Sequence, residues 1–299
     1  MDNLKIFTNI AMERHTNFPD HPECPARLKV ILDMIKSDFP NVPIEKSYPA
    51  TDDNILLAHP QSHLDYIQEC PAMIDGDTGM MGEEGSLTAA MLSAGTAVQA
   101  VRSVMDAETQ TAFALCRPPG HHAEQKTAMG FCFFNNAFIA ARTSGVKTLI
   151  IDFDVHHGNG TEDLVKRRVD NGDLDIAYAS THQGFGFWPN TGHEDNQNIC
   201  NCPLQQGATS DEFRKVVLDR VIPFTVDFKP NLIIFSAGFD AHESDPLGGL
   251  HLVHDDFAWI VNQIKPLCPK IVSVLEGGYN IETLATSVKH HLKPLAKLL

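Results

Sequence analysis

The feature that most constrains the fold is an apolar, β-branched run that ends in a cluster of acids, imidazoles and glycines. The run, Val146 to Phe153, is typical of a strand buried in a parallel sheet. Asp154 and His156 follow it two residues apart, and in an extended chain both would point to the same face. Because ligands bind outside the carboxyl ends of strands in open α/β sheets, this strand end is a candidate site.

Predicted strands and helices alternate over most of the chain, which favours an α/β fold. The pattern predicts a mostly parallel central sheet with helices on both faces, a three-layer α/β/α arrangement. It also predicts a helix over residues 52–70 and a long loop from residue 181 to Pro203. No change in composition and no Ser/Gly-rich linker divides the 299 residues, so we expect one domain over residues 1–299.

Charge and hydropathy argue against several functional classes. The net charge is −15 with no run of Lys or Arg, so we expect no nucleic-acid partner. No apolar run reaches the roughly 20 residues of a membrane span, so we expect no membrane association. The seven cysteines are scattered and no secretory signal is visible, which favours a reducing, cytoplasmic location. An acidic surface would attract a basic partner, such as a lysine-rich tail or a polyamine, or would serve solubility alone.

Four predicted strands end in reactive or glycine-rich residues. Each cluster alone is more often an ordinary turn or a satisfied core feature than a site. Together, at the same edge of one parallel sheet, they should converge on one cleft. The clusters are His121-His122, Asp152 to His157, Asp240 to His242, and Gly277-Gly278-Tyr279.

Three of these residues form a candidate metal site. Asp154, His156 and Asp240 would supply two carboxylates and one imidazole. That mixed set suits zinc, although ferrous iron or cobalt could also bind there. A catalytic zinc ion typically takes three protein ligands and keeps one position open.

The neighbouring residues supply candidate acid–base groups. His121 and His122 are candidates for general base and acid. Asp152 and Asn159 could fix the tautomers and orientations of these two rings. The phenol of Tyr279 could hold a developing oxyanion. The set predicts metal-assisted hydrolysis of an unactivated carbonyl compound, with an amide as the favoured class.

Over nearly its whole length the sequence resembles the zinc-dependent histone deacetylases and their bacterial deacetylase-like relatives, which share the arginase/deacetylase fold. The Pro-Pro-Gly-His-His and His-His-Gly-Asn-Gly forms resemble the class II branch. The motifs that carry the resemblance are His21-Pro-Glu-Cys-Pro-Ala-Arg-Leu28, Arg117-Pro-Pro-Gly-His-His-Ala123, Gly130-Phe-Cys-Phe-Phe-Asn-Asn136, Asp152-Phe-Asp-Val-His-His-Gly-Asn-Gly-Thr161, Ser236-Ala-Gly-Phe-Asp-Ala-His242, Asp245-Pro-Leu-Gly-Gly249 and Glu276-Gly-Gly-Tyr-Asn280.

The resemblance implies a role for each site residue. One catalytic Zn²⁺ would be bound by Asp154, His156 and Asp240. His122 would be the general base and acid, with Asn159 as its partner. The remaining catalytic roles would fall to His121, which stays an electrostatic helper paired with Asp152, and to Tyr279, which polarises the amide carbonyl.

The resemblance also implies groups around the catalytic centre. A structural K⁺ would use Asp152, Asp154, His156, Ser180 and Thr181. The acyl-lysine tunnel would involve Phe131, Trp188, Leu247, Gly130 and Gly278. Arg27 would line an internal acetate-release channel, and Asp77 would grip the substrate backbone at the rim. The family usually has phenylalanine or tyrosine at the position of Trp188, so its acyl preference does not carry over.

Four functions fit these residues to different degrees. The first is a zinc-dependent deacylase that acts on acyl-lysine in proteins or peptides. The second is an amidohydrolase for acetylpolyamines or other small acylated amines. Polyamine deacetylases of the family that the sequence resembles can carry a glutamate where this chain has Leu247. The leucine therefore favours acyl-lysine as the substrate. A non-catalytic acyl-lysine binder is disfavoured because every catalytic position is filled, and a dimetal arginase-like hydrolase would need a second transition metal.

Overall fold

An eight-stranded parallel sheet organises the residues that the computed structural model describes, which are 4–69, 74, 78, 79 and 84–297. Neighbouring strands run in the spatial order β2-β1-β3-β8-β7-β4-β5-β6. The α/β fold predicted from the alternating pattern is therefore confirmed. In chain order the strands are β1 (Leu4–Thr8), β2 (Ile44–Lys46), β3 (Thr111–Ala114), β4 (Thr148–Asp152), β5 (Ile176–Gln183), β6 (Ile199–Leu204), β7 (Leu232–Ala237) and β8 (Ile271–Leu275).

The helices pack in two groups against this sheet. One group is formed by α4 (Glu84–Met105), α5 (Asn136–Ser144) and α6 (Asn159–Asp170), and the other by α1 (Ala26–Asp38), α9 (His254–Ile264) and α10 (Ile281–Ala296). The remaining helical segments are a 3₁₀ turn (Ile10–Arg14), α2 (Asp52–Ile55), α3 (Gln61–Glu69), α7 (Ser210–Val216), a π turn (Val217–Val221) and α8 (Ile222–Phe228).

Helix α10 shows why these sequences form covering helices. Its buried apolar residues recur every three or four positions, at Leu284, Val288, Leu292 and Leu295, which gives one apolar face. Two side chains from the sheet bond to this helix. Thr111 Oγ1 on β3 donates to the Leu295 carbonyl at 3.0 Å, and the hydroxyl of Ser273 on β8 lies 2.8 Å from a ring nitrogen of His291.

Two predictions about elements are wrong. The predicted loop before Pro203 contains β6, which pairs with β5 from Tyr178↔Ile199 to Gln183↔Leu204. The predicted helix over residues 52–70 is interrupted between α2 and α3 near Pro60. Proline has no N–H to donate, and it disfavours helical backbone in the residue before it.

The strand order puts the four polar clusters at one edge. Strands β3, β8, β7 and β4 are consecutive neighbours in the sheet, and all run in the same direction. Each of the four clusters follows one of these strands, so the clusters share the carboxyl edge of the sheet. Among the described residues, no helix combines the length and apolar character that a membrane crossing requires.

Candidate active site

The three predicted metal ligands meet at this edge. Asp154 and His156 lie in the bend after β4, and Asp240 lies in the turn after β7. One potential ligand atom from each residue lies within 4.8 Å of the others. His156 Nδ1 is 3.1 Å from Asp154 Oδ1 and 3.2 Å from Asp240 Oδ2. In the described part of the chain this is the one such group of three or more His, Cys, Asp or Glu residues.

Glycine backbone lets the carboxylates approach each other. Gly277 N–H donates to Asp154 Oδ2 at 2.8 Å. A Cβ at Gly277 would lie 2.0 Å from Asp240 Oδ2, and one at Gly238 would lie 2.1 Å from Asp154 Oδ2. Real Cβ atoms do not come this close, so the site needs glycine at both positions.

The charge distribution of the site suits a cation. Asp154 and Asp240 are fully buried. His156 Nδ1 is hydrogen-bonded to Asp154 Oδ1, so Asp240 Oδ2, although 3.2 Å from that nitrogen, is left without a hydrogen bond. Burial and the neighbouring Asp154 charge raise the pKa of Asp240 to about 7. Two buried carboxylates side by side repel each other, and a bound cation would relieve that repulsion. Two carboxylate oxygens and one imidazole nitrogen are a donor set that Zn²⁺ accepts, so the residues fit the ion.

His121 and His122 form a histidine dyad, and the two rings have different partners and opposite pKa shifts. His121 Nδ1 lies 3.0 Å from Asp152 Oδ2, and His122 Nδ1 lies 2.8 Å from Asn159 Oδ1. Burial opposes charge on His121, but the charges of Asp154 and Asp152 outweigh it and raise its pKa to about 10. Burial, followed by the charges of His121 and His156, holds the pKa of His122 well below its usual range. His122 is therefore a neutral imidazole at neutral pH, as a general base must be.

Asp152 is held by a network of its own. Besides His121, its carboxylate accepts from Tyr178 Oη at 2.9 Å and from Asp154 N–H at 3.1 Å. Tyr178 Oη in turn accepts from Gly158 N–H at 3.0 Å. Asp152 therefore joins the dyad to the backbone that carries the metal ligands.

Tyr279 stands on the turn after β8. Its side chain is 9% exposed, and its backbone N–H donates to Asp245 Oδ2 at 2.7 Å. Burial raises the pKa of the phenol well above its usual range, although the nearby Arg27 charge opposes this. The hydroxyl therefore keeps its proton and can donate it in a hydrogen bond.

Arg27 is buried directly beneath this turn. Its guanidinium donates to the carbonyls of Gly278 and Glu276 at 2.7 and 2.5 Å, and Cζ lies 4.8 Å from the Tyr279 ring centroid. It also contacts Glu23 at 3.3 Å, and Glu23 accepts two further bonds from Arg117 at 2.8 and 2.7 Å. The structure thus places Arg27 in a buried network of charges next to the site, and the partners Glu23 and Arg117 were not predicted.

A cavity of about 250 Å³ reaches His156 of the predicted metal ligands and His122 of the histidine dyad. Four of the five predicted tunnel residues line it, namely Gly130, Phe131, Trp188 and Leu247. The other residues that line it are His122, His156, Phe187 and Tyr279. Gly278 is not on this wall, because its carbonyl faces Arg27 and its α-hydrogen side faces Leu284 and Phe239.

Aromatic rings line the cavity. Phe131 lies 5.8 Å from the Tyr279 ring, and Trp188 lies 4.6 Å from the His122 ring, both edge to face. Phe187, which was not predicted, stacks on His156 at 5.2 Å. Gly130 lets the walls approach, because a Cβ there would lie 2.5 Å from Trp188.

Known protein families identify the family to which this fold belongs. The model of the Histone deacetylase domain matches residues 21–295. The chain belongs to the histone deacetylase family.

Relatives from three domains of life support membership of the histone deacetylase family. A probable deacetylase of Methanothermobacter thermautotrophicus is 36% identical over 91% of this chain and 84% of its own length. The histone deacetylase-like amidohydrolase of Pseudomonas aeruginosa is 34% identical over 87% and 72%. Histone deacetylase 14, chloroplastic, of Arabidopsis thaliana is 34% identical over 93% and 74%. The chain is thus a hydrolase of the deacetylase and amidohydrolase type.

A solved structure of the histone deacetylase family has the same architecture. The crystal structure of the HDA15 HD domain superposes with a TM-score of 0.91 at 30% identity, and the match covers 97% of this chain and 90% of that one. The arginase/deacetylase-type α/β fold that the sequence resembles is therefore confirmed.

The two β5 residues predicted for potassium, Ser180 and Thr181, point to opposite faces of the sheet. Ser180 pairs with Asp152 across β5 and β4, so their side chains point to the same face. Thr181 is the next residue of β5, and its side chain points to the other face, where Oγ1 is buried without a hydrogen-bond partner. Only the backbone carbonyl of Thr181 could therefore join Ser180 at one ion. The predicted rim residue Asp77 lies outside the described residues.

Proposed function

We propose that this chain is a zinc-dependent deacylase that hydrolyses the side-chain amide of acyl-lysine in proteins or peptides. The observation that carries the proposal is that His156, from the cluster Asp154, His156 and Asp240, lines one aromatic cavity together with a neutral His122 and a protonated Tyr279. Membership of a family that is generally zinc-dependent supports the choice of metal. A structural K⁺ near Asp152 and Ser180 remains part of this proposal.

The chain's own groups then account for hydrolysis of the amide. Bound at Asp154, His156 and Asp240, Zn²⁺ would supply Lewis-acid chemistry, which polarises a carbonyl and makes water more acidic. Because Asn159 occupies His122 Nδ1, the other ring nitrogen is free to take a proton from water and to deliver it to the departing amine. Tyr279 donates a hydrogen bond to the carbonyl oxygen as negative charge develops there. Water adds to the carbonyl carbon, the C–N bond breaks, and a carboxylate and an amine leave.

The walls of the cavity favour an acyl-lysine side chain over a cationic tail. Among the described residues, none of the eight that line it carries a carboxylate, and Leu247 is apolar. A methylene chain that ends in a neutral amide suits such walls, whereas a polyamine would leave its charge without a partner there. The net charge of −15 would attract a basic protein tail to the surface.

The test compares substrates and metals on the purified protein. We expect one zinc per chain, and a higher kcat/KM for an acetyl-lysine peptide than for acetylspermidine. The same assay on a panel of peptides with longer acyl groups would define the acyl preference. Faster cleavage of acetylspermidine would instead establish the small-amine amidohydrolase, and two transition-metal ions per chain would support the arginase-like alternative.

Two variants test the assigned groups. We expect His122→Ala to lower kcat by about 10²–10⁴, the usual contribution of general acid–base catalysis. Tyr279→Phe should lower it by about 10²–10³, as for the loss of one oxyanion donor. Tyr48→Phe is the control, since Tyr48 is 66% exposed and is not part of the cavity wall. Wild-type turnover in both site variants would refute the mechanism.

A further inference from the structure

Asn159 uses both ends of its side-chain amide. Oδ1 lies 2.8 Å from His122 Nδ1, and Nδ2 donates to Glu124 Oε1 at 2.8 Å. Nδ2 also lies 3.4 Å from Met129 Sδ, a much weaker acceptor. Asn159 is only 6% exposed, so water does not readily replace these partners. A chain of two hydrogen bonds therefore connects His122 to a carboxylate outside the catalytic cavity.

The orientation of this amide determines which nitrogen of His122 carries the proton. With Oδ1 toward the ring, Nδ1 must be the donor, and the other ring nitrogen is a free base. If the amide turned over by 180°, its NH₂ group would face Nδ1, which would then have to accept. The proton of the neutral ring would sit on Nε2, and that nitrogen could no longer take one from water.

Glu124 favours the orientation in which Asn159 Oδ1 faces His122. An ionised carboxylate only accepts hydrogen bonds, so it requires the NH₂ end of Asn159 and repels the oxygen end. Its position is held locally, since Glu124 N–H donates to the Thr127 carbonyl at 2.9 Å. Glu124 is half-buried and borders a separate polar cavity of about 360 Å³ that also contains Asn159 and Asp163.

We propose that Glu124 is a positioning residue that fixes the amide of Asn159 and, through it, the Nδ1–H tautomer of His122. The inference rests on the proposed role of His122 as general base. Glu124 is not part of the catalytic cavity wall, so it acts through Asn159.

The first test removes the acceptor. In the zinc-loaded enzyme, Glu124→Ala should lower kcat and kcat/KM together by about 10-fold, the usual scale for a residue that orients a catalytic group. KM should stay the same, because the substrate does not contact Glu124. Glu124→Gln keeps an acceptor oxygen and should recover most of the loss.

Asp163→Asn is the matched control. Asp163 borders the same cavity and accepts from Gln125 N–H, next to Glu124, at 3.1 Å. Its carboxylate makes no hydrogen bond to Asn159, so removing its charge should leave kcat within about twofold of the wild type. A loss in Asp163→Asn equal to that in Glu124→Ala would mean that local charge is responsible, and would overturn the proposal.

A reciprocal exchange tests the direction of the bonds. Glu124→Lys would donate to Asn159 Oδ1 and favour the reversed amide, so it should be at least as damaging as Glu124→Ala. Asn159→Asp would place two carboxylates against each other. In the double variant Glu124→Lys/Asn159→Asp, residue 159 can accept from both neighbours, and activity should rise above that of either single variant. If the fold-losses in activity of the two single variants simply multiply in the double variant, the two residues are not coupled and the proposal is contradicted.

A spectroscopic readout does not depend on turnover. Nitrogen-15 NMR of the histidine rings distinguishes the two tautomers, and the signals of His122 are those lost in His122→Ala. We expect Nδ1–H in the wild type and a shift toward Nε2–H in Glu124→Lys. An unchanged tautomer in Glu124→Lys would overturn the inference. If the wild type cleaves no acyl-lysine peptide, the proposed function fails, but this readout still decides the role of Glu124.

Discussion

At the scale of single residues, Gly277 leaves little room between the two carboxylates of the proposed metal site. Its backbone passes so close to Asp240 and Asp154 that an added Cβ would lie 2.0 and 2.5 Å from their Oδ2 atoms. A methyl group there must displace at least one ligand. Overpacking of this kind costs about 1–3 kcal/mol of stability. Here it would also displace the carboxylates from the positions in which they would bind the metal.

We therefore expect Gly277→Ala to weaken zinc binding by about 10- to 100-fold, which competition with a chelator would measure. Gly145→Ala is the control. Gly145 has φ +64° and nothing within 4 Å of an added Cβ. This change should cost about 1 kcal/mol of stability through the left-handed backbone, and should leave zinc affinity unchanged. Equal zinc affinity in the two variants would show that the close approach at Gly277 does not matter.

Residues could be predicted where chemistry and chain position coincide. Asp154 and His156 follow a strongly apolar strand, so their type and location both appear in the sequence. Glu124 gave no such signal. Its proposed role depends on a hydrogen bond from the side-chain amide of Asn159, which is 35 residues away in the sequence. Phe187 was missed for a different reason. In the sequence it is one more aromatic beside Trp188, and only the fold stacks it on His156.

At the scale of elements, the start of α5 is bonded both to the residue that follows His122 and to α6. The N-cap Asn135 accepts from Phe138 N–H at 3.0 Å and donates to the Ala123 carbonyl and the Thr161 hydroxyl at 3.3 and 3.0 Å. Asn135 is fully buried, so its loss would leave these groups without partners in a site closed to water.

We expect Asn135→Ala to lower the free energy of unfolding by about 2–3 kcal/mol, more than the usual effect of losing a cap. Thr51→Ala is the matched comparison, because Thr51 caps α2 at an exposed position and should cost about 1 kcal/mol or less. Denaturant unfolding would measure both. A loss in Asn135→Ala no larger than that in Thr51→Ala would contradict the role of burial.

Strand β6 is an element that the sequence pattern did not predict. Asn198, Asn201 and Pro203 make the segment resemble a loop. In the fold, the amide of Asn201 is buried and donates to Glu162 Oε2 of α6 at 3.0 Å and to the Glu194 carbonyl at 2.8 Å. The NH₂ groups of Asn198 and Asn201 are therefore paired by tertiary contacts, and a sequence pattern cannot report such pairing. By contrast, the strands of the sheet centre are mostly apolar and were predicted.

At the scale of the whole molecule, buried neutral histidines link stability to pH. His291 of α10 is fully buried, with its ring against Phe153, Phe235 and Phe239 and a ring nitrogen 2.8 Å from Ser273 Oγ. Burial lowers its pKa to about 3. Burial and the neighbouring His63 likewise lower the pKa of His59 to about 3.

The direction of the pH effect follows from these shifts. Above pH 6.5, the ordinary pKa of histidine, both the folded and the unfolded chain leave His291 neutral. Between pH 6.5 and about 3 the unfolded chain binds a proton that the folded chain does not. The free energy of unfolding therefore falls as the pH falls through this window, by up to about 1.4 kcal/mol per pH unit for each such histidine.

His291→Gln should remove one histidine's share of this slope. The variant loses packing at pH 7.5 and is less stable there, but its stability should fall less steeply than that of the wild type from pH 6.5 to 5. Denaturant unfolding at several pH values, with zinc held constant, would measure the slope. His59→Gln should give a similar decrease, and the double variant should add the two, because the residues lie in different parts of the fold. A slope in His291→Gln equal to that of the wild type would show that His291 takes up its proton in the folded chain.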